Sequence, residues 1–417
     1  MQAVLDSILK RLIQTGRLTV YWPDGRSSVY QGTPGQGPTA SMRLRTAAVV
    51  RRMTYSPSMA MGEGYMNGDV VAGEGGIYDL VYLAMANLQA NPKGHPVARL
   101  REMAELMIRR VLQFNPAGRS RRNVAHHYDL NGRLYSLFLD RDRQYSCAYF
   151  PQGNETLEDA QAAKKRHIAA KLLLTRPGLR VLDIGCGWGG MALTLARDYG
   201  ADVTGITLSQ EQLQEARNRA AAEGLSERVR FEMLDYRSVQ GQFDRIVSVG
   251  MFEHVGVGYY QTFFDTVARV LAPDGVALIH AIGRHDGPGS TNPWLRKYIF
   301  PGGYSPALSE VLPAIERSGL MSTDIEILRL HYAETLKQWR RRFMANRDAI
   351  ASIYDDRFCR MFEFYLAASE VAFRKGGHMV WQVQLSHTHE AVPLTRDYIA
   401  AAESVPGRAM EPARQPE

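Results

Sequence analysis

Val181-Leu182-Asp183-Ile184-Gly185-Cys186-Gly187-Trp188-Gly189-Gly190 is a short apolar run that dissolves into glycines. The run reads as a buried strand over Arg180–Asp183. Gly185 and Gly187 then let the backbone approach a ligand without a Cβ in the way. The turn opens a helix over Gly190–Tyr199, so it lies at the carboxyl edge of a sheet, where open α/β folds bind ligands. Working outward, strand and helix patterns alternate. Strands are expected at Asp202–Thr207, Arg228–Met233, Phe243–Val249 and Ala277–Ala281, with helices over Gln210–Glu223 and Tyr259–Leu271. That spacing predicts an α/β fold with a right-handed, doubly wound, mostly parallel sheet.

A GxGxxG pattern alone is weak evidence for any one ligand. A dinucleotide reading meets an obstacle in Asp183, whose charge would repel a pyrophosphate two residues ahead of Gly185. A cationic sulfonium without phosphate, as in S-adenosylmethionine, suits that acid better. The second strand ends in Gly205-Ile206-Thr207-Leu208-Ser209-Gln210-Glu211-Gln212, where a ribose would lie. No acid stands there, so Thr207 and Gln212 are the candidates for its hydroxyls, while Ser209 also fits a plain helix cap. After the third strand come Leu234-Asp235-Tyr236, with Asp235 placed to accept from an adenine amine and Tyr236 beside it.

The net charge of +7 over 417 residues is unevenly spread. Residues 1–133 hold 17 Lys+Arg against 9 Asp+Glu, and the rest hold 33 against 34. An excess confined to one third of a chain favours an anionic surface, nucleic acid or acidic lipid, over a neutral partner. A basic domain without such a partner is the plainer alternative. No run of eighteen or more apolar residues occurs, and Asp6 interrupts any secretory core, so a cytoplasmic protein is expected. Cys147, Cys186 and Cys359 are too few and too scattered for a disulfide framework or a zinc site, and no metal is expected.

Ahead of the α/β pattern, residues 1–115 form a smaller basic α+β domain. It has an amphipathic helix over Val4–Gly16 and a hairpin around Pro23-Asp24-Gly25, then helices over Leu80–Asn91 and Arg99–Phe114. Residues 116–133 read as a linker and residues 134–402 as the catalytic domain. The tail 403–417, with three prolines, is expected to be disordered.

The fourth strand runs into Val249-Gly250-Met251-Phe252-Glu253-His254-Val255-Gly256. Taken with several other segments, the chain resembles the cyclopropane-fatty-acyl-phospholipid synthases. Those segments are Tyr145-Ser146-Cys147-Ala148-Tyr149, Leu278-Ile279-His280-Ala281-Ile282-Gly283, Pro293–Gly303 and Val380-Trp381-Gln382-Val383. The resemblance spans nearly all of 134–385 and continues more weakly through a lipid-binding N-terminal domain. It implies a seven-stranded class I methyltransferase core. It also implies methylene transfer from S-adenosylmethionine to a cis double bond in an unsaturated phospholipid, with Tyr145 and Ser146 added to the cofactor contacts.

Such chemistry needs a dry pocket, negative charge or π-density facing a carbocation, and a base that reaches the new methyl. The resemblance implies that the base is a bound bicarbonate ion. Its holders here would be the Cys147 backbone, Glu253, His280, the Ile282 backbone and Tyr332. His280 and Tyr332 would donate, and Glu253 would accept the proton of the ion. Outside that pattern, His280 and Tyr332 read as core residues and Cys147 as a small buried hydrophobe. On the family reading the basic N-terminal domain would bind anionic lipid at the inner membrane surface, and members of the family are often homodimers. Some relatives carry cysteine where this chain has Ser369, next to Glu370, so neither is assigned a catalytic role. The departure leaves a methyl- or methylene-branched product open beside the ring. A nucleic-acid methyltransferase would show Asn/Asp-Pro-Pro-Tyr or a catalytic cysteine after the fourth strand. Met251-Phe252-Glu253-His254 stands there instead, so nucleic acid is not an expected partner. A non-catalytic lipid-binding protein would not need the intact glycine turn. Trp294–Phe300 and Trp339–Phe343 would line or cover an acyl pocket, or simply pack.

Overall fold

A computed structural model describes residues 1–33, 35–90 and 132–404. The expected helix Arg99–Phe114 lies outside the described residues, as do nearly all of the linker 116–133 and most of the tail. The described residues form two compact units. The first combines residues 1–90 with Ser290–Pro301 and Tyr332–His378. The second holds 132–289, Gly302–His331 and 379–404.

In the first unit, helix Gln2–Leu12 turns Leu5 and Leu9 inward. The hairpin expected around Pro23 is present: β1 (Arg17–Tyr21) pairs antiparallel with β2 (Ser27–Gln31), closed by the Trp22 N–H on Arg26 O at 2.8 Å. The sequence patterns did not reveal β3 (Thr39–Leu44) or β4 (Val70–Ala72), which complete a sheet of order β2-β1-β3-β4. Helix Pro57–Asn67 packs on Pro293–Tyr298 and Asp356–Lys375. Gly62 is needed there, because a Cβ would lie 2.4 Å from the Trp294 ring. Trp294 is buried, edge-on to Phe364, with its indole N–H on Met66 Sδ at 3.2 Å. Trp339 and Phe343 are also buried, Phe343 stacking on Phe362. In all three aromatics the contacts are those of a packed interior.

The second unit is built on a sheet of order β10-β11-β9-β8-β5-β6-β7. Its strands are β5 (Arg180–Ile184), β6 (Asp202–Thr207), β7 (Val229–Met233), β8 (Phe243–Val249), β9 (Leu271–Arg284), β10 (Met321–Leu328) and β11 (His378–Ser386). β5 pairs parallel with β6 and β8, β6 with β7, and β8 with β9, while β10 runs antiparallel to β11. This is the doubly wound, mostly parallel sheet expected from the strand–helix alternation, with the seven strands that the resemblance implied. β5 is buried on both faces after its first residue, which is why it reads as an unbroken apolar run rather than an alternation. The chain winds outward through β6 and β7, then crosses back to β8. That reversal opens a crevice at the carboxyl ends of β5, β6 and β8.

One core layer is aromatic: Phe252, Phe263, Phe264 and Trp381 are fully buried, with Phe252 edge-on to Trp381. Glu403, read as the head of a disordered tail, instead ends helix Asp397–Glu403. Its carboxylate meets His167 Nδ1 at 2.6 Å. Among the described residues no helix is long and apolar enough to cross a membrane.

Candidate active site

The crevice is a cleft of about 1140 Å³, its open mouth included. Its floor is the glycine turn. Gly185 has φ +84° and Gly187 φ +55°, backbone that favours glycine. A Cβ on Gly185 would sit 2.8 Å from the Met251 side chain, whereas one on Gly187 would meet nothing within 4 Å and project into open space. The first glycine serves close packing and the second leaves room for a ligand. The Gly185 and Cys186 N–H groups both donate to Ile206 O, locking the turn to β6.

All nine cofactor candidates line this cleft: Tyr145, Ser146, Asp183, Gly185, Gly187, Thr207, Gln212, Asp235 and Tyr236. Asp183 is buried, and burial lifts its carboxyl to about 7, with the Lys164 charge pulling the other way. Its Oδ2 has no hydrogen-bond partner. A buried acceptor left unpaired is costly unless a ligand donor meets it. Thr207 donates to Gln212 Oε1 at 3.1 Å and accepts from the Ser209 N–H, so the end of β6 is braced from within. Ser209 does cap the next helix, accepting from the Gln212 N–H. Asp235 is less free than expected, because Arg237 grips both of its oxygens at 2.8 Å. Tyr236 is pushed up to about 12 by burial and lies under that guanidinium. Tyr145 packs edge-on against Tyr135. An unpaired acid, an open glycine cradle and a lining of mixed polar and apolar side chains fit a cationic nucleoside ligand such as S-adenosylmethionine.

Beyond the cleft floor lies the expected acid. Glu253 sits in the short turn Phe252–His254 after β8. Its Oε1 accepts the Ile282 N–H at 2.6 Å, while its buried Oε2 has no partner. Burial raises its carboxyl to about 7, against the pull of the Ile282 and Glu253 backbone N–H groups. The Ile282 amide, expected among the contacts to the anion, is thus engaged with Glu253 and holds the acid in place. His280, two residues earlier on β9, is buried. Burial above all, with Lys164, Lys171 and His167 around it, lowers its imidazole to about 3, so the ring is neutral. The Gln382 side-chain amide lies 3.1 Å from Nδ1. If that amide donates, the ring proton sits on Nε2, which then serves as a donor. Cys147 is buried on the 145–147 loop, with Ser146 beside Gly250 at the end of β8. A buried carboxylate oxygen without a donor and a neutral imidazole suit a small oxyanion that carries one proton. Tyr332 belongs to the first unit, where its buried ring packs on Trp339 and Phe373.

Several residues in and around the cleft were given no role from the sequence. Gln382, quoted only as part of the Val380–Val383 resemblance, orders His280. His254 lines the cleft, and burial lowers it to about 4. Lys164 and Gln161 lie on helix Leu157–Lys171, whose charge-rich sequence reads as a solvated face. Both are buried, and both bond the 144–146 loop.

The pattern of the family Mycolic acid cyclopropane synthetase matches residues 116–383, and a domain of unknown function matches residues 4–92. Cyclopropane-fatty-acyl-phospholipid synthase of Escherichia coli K12 is 39% identical over 347 residues, covering 83% of this chain and 88% of that protein. Tuberculostearic acid methyltransferase UfaA1 of Mycobacterium tuberculosis is 41% identical over 275 residues, 63% of this chain and 64% of that one. Among solved structures, mycolic acid cyclopropane synthase CmaA1 complexed with SAH and CTAB aligns at TM-score 0.61 and 31% identity. The alignment covers 66% of this chain and 99% of that chain. The motifs, the switch-point cleft and these likenesses agree: this chain belongs to the mycolic acid cyclopropane synthetase family and is an S-adenosylmethionine-dependent methyltransferase.

Proposed function

We propose that the protein transfers a methylene group from S-adenosylmethionine to the cis double bond of an unsaturated phospholipid acyl chain, leaving a cyclopropane ring. The observation that carries this is the buried, unpaired Glu253 Oε2 on the turn after β8, beside the neutral His280. S-adenosylmethionine, when bound, supplies an electron-poor methyl on sulfur. A bicarbonate ion, when bound, supplies the base that collects the proton the new methyl must lose. Glu253 orients that ion by accepting its hydrogen, with Ile282 holding the acid and His280 donating. Cys147 completes the proposed set within this unit. The reaction requires that water be kept from the sulfonium methyl, since a weakly nucleophilic alkene would otherwise lose it to hydrolysis.

A branched product is the second reading, favoured by the likeness to a tuberculostearic acid methyltransferase. Incubating the protein with cofactor and cis-unsaturated phospholipid vesicles separates the two. A ring and a methylene branch each add CH₂ and share a mass, so upfield ring protons in the NMR spectrum mark the cyclopropane. Unmodified lipid would overturn both.

The basic residues 1–115 are proposed to hold the enzyme on anionic lipid. Full-length protein should sediment with anionic vesicles, release as salt rises toward about 1 M, and ignore neutral ones. Equal binding to both would remove the electrostatic role.

The acid's ionisation gives a pH test. Protonation on the free Oε2 turns it from acceptor into donor, so turnover at saturating cofactor should fall as pH drops through about 7. Asp183 titrates in the same range but faces the cofactor cleft, so its protonation should weaken cofactor binding rather than saturated turnover. A flat saturated rate between about pH 6 and about pH 8 would deny Glu253 this role.

A further inference from the structure

Lys164 is wholly buried in the middle of helix Leu157–Lys171. Its ammonium donates to Ser146 Oγ at 2.9 Å and to the side-chain carbonyl of Gln144. Gln161, three residues earlier on the same helix face, donates to the main-chain carbonyls of Ser146 at 2.9 Å and Gln144 at 3.2 Å. Both residues so held line the cofactor cleft. An ammonium has donors only, so it occupies acceptor lone pairs and leaves the Ser146 hydroxyl hydrogen free to donate. Burial lowers Lys164 to about 8, with Asp140 opposing, and the same charge draws the Asp183 carboxyl down. Packing alone would be served better by an apolar chain of similar length, since a buried charge pays a desolvation penalty.

We propose that Lys164 is a positioning residue for the amino-acid end of S-adenosylmethionine. It turns Ser146 into a donor, sets a positive charge behind it for the cofactor's carboxylate, and balances Asp183, whose unpaired Oδ2 suits the cofactor's ammonium. The nucleoside end, on the glycine turn and β6, owes nothing to it. This rests on the cofactor and not on the acyl product, so it stands or falls separately from the lipid chemistry.

The test is calorimetric titration of the full chain with two ligands: S-adenosylhomocysteine, which carries the amino-acid end, and 5′-methylthioadenosine, which lacks it. Lys164→Met should weaken S-adenosylhomocysteine at least about tenfold and leave 5′-methylthioadenosine within about twofold. Lys164→Gln, which keeps a donor without the charge, should fall between. Equal weakening of both ligands would reduce Lys164 to a structural residue, and no weakening would remove it from the site. Should both Lys164 variants fail to fold, Ser146→Ala carries the decision. The same selective loss upholds the proposal, and an equal loss or none overturns it.

Discussion

Glu253→Gln is expected to abolish product formation while leaving cofactor affinity almost intact. The amide is nearly isosteric, and its carbonyl oxygen can keep the Ile282 N–H that Oε1 now accepts at 2.6 Å. The turn after β8 should therefore hold its shape. What changes is the other atom. Oε2, buried and without a partner, becomes an NH₂ that donates where an acceptor is required. An ion meant to present its own hydrogen to that atom meets another hydrogen, and its base is no longer aimed. Losing a positioned proton acceptor costs about 10²–10⁴ in rate. Single-turnover assay of lipid product gives the rate, and titration with S-adenosylhomocysteine gives the affinity. A parallel fall in both would make Glu253 a cofactor residue. Unchanged turnover would detach it from the chemistry.

The parts of this site legible in the sequence are those whose requirements are local. A strand delivered to glycines at positive φ has one workable reading, because only glycine tolerates Gly185 against Met251. The Ser209 cap is a three-residue pattern, and the end of β6 follows from strand periodicity. The parts that stayed hidden depend on residues far apart in the chain. Gln382 meets His280 across 102 positions, and nothing in the neighbourhood of either announces the other. Lys164 reads as a solvated charge until the 144–146 loop covers it. Asp235 is the converse case: its Arg237 partner stands two residues away and was open to reading. The first unit gave the same difficulty at larger scale. Pro57–Asn67, with two glycines and little apolar periodicity, gave no helical pattern to read, and periodicity does not name a partner in any case. Its packing on Asp356–Lys375, with Trp294 held against Gly62, required the fold.

Glu370 provides the second large effect, on stability rather than turnover. The sequence left it beside Ser369 without a role, and its surroundings supply one. Its carboxylate is almost wholly buried. Oε2 takes Nε and Nη2 of Arg340, at 3.1 and 2.9 Å, and Oε1 takes Nε of Arg374 at 3.0 Å. One acid thus ties helix His331–Ala345 to its own helix and neutralises two guanidiniums. Arg340 also lies over the Tyr78 ring, which brings in helix Gly76–Ala90. A buried pair is poor evidence of net stabilisation, but removing one member strands the other charge, at about 3–5 kcal/mol. Glu370→Ala should come out near the lower bound, about 3 kcal/mol. Arg374 keeps Glu334 at 2.8 Å and Arg340 keeps the Tyr78 face, and each arginine is about one-fifth exposed to water. Glu370→Gln retains the hydrogen-bond acceptor without the charge and should lose less. Urea unfolding followed by far-UV circular dichroism gives the difference. A loss below about 1 kcal/mol for the alanine variant would mean that Glu334 and Tyr78 already suffice for both arginines, and that Glu370 is dispensable to the packing of these helices.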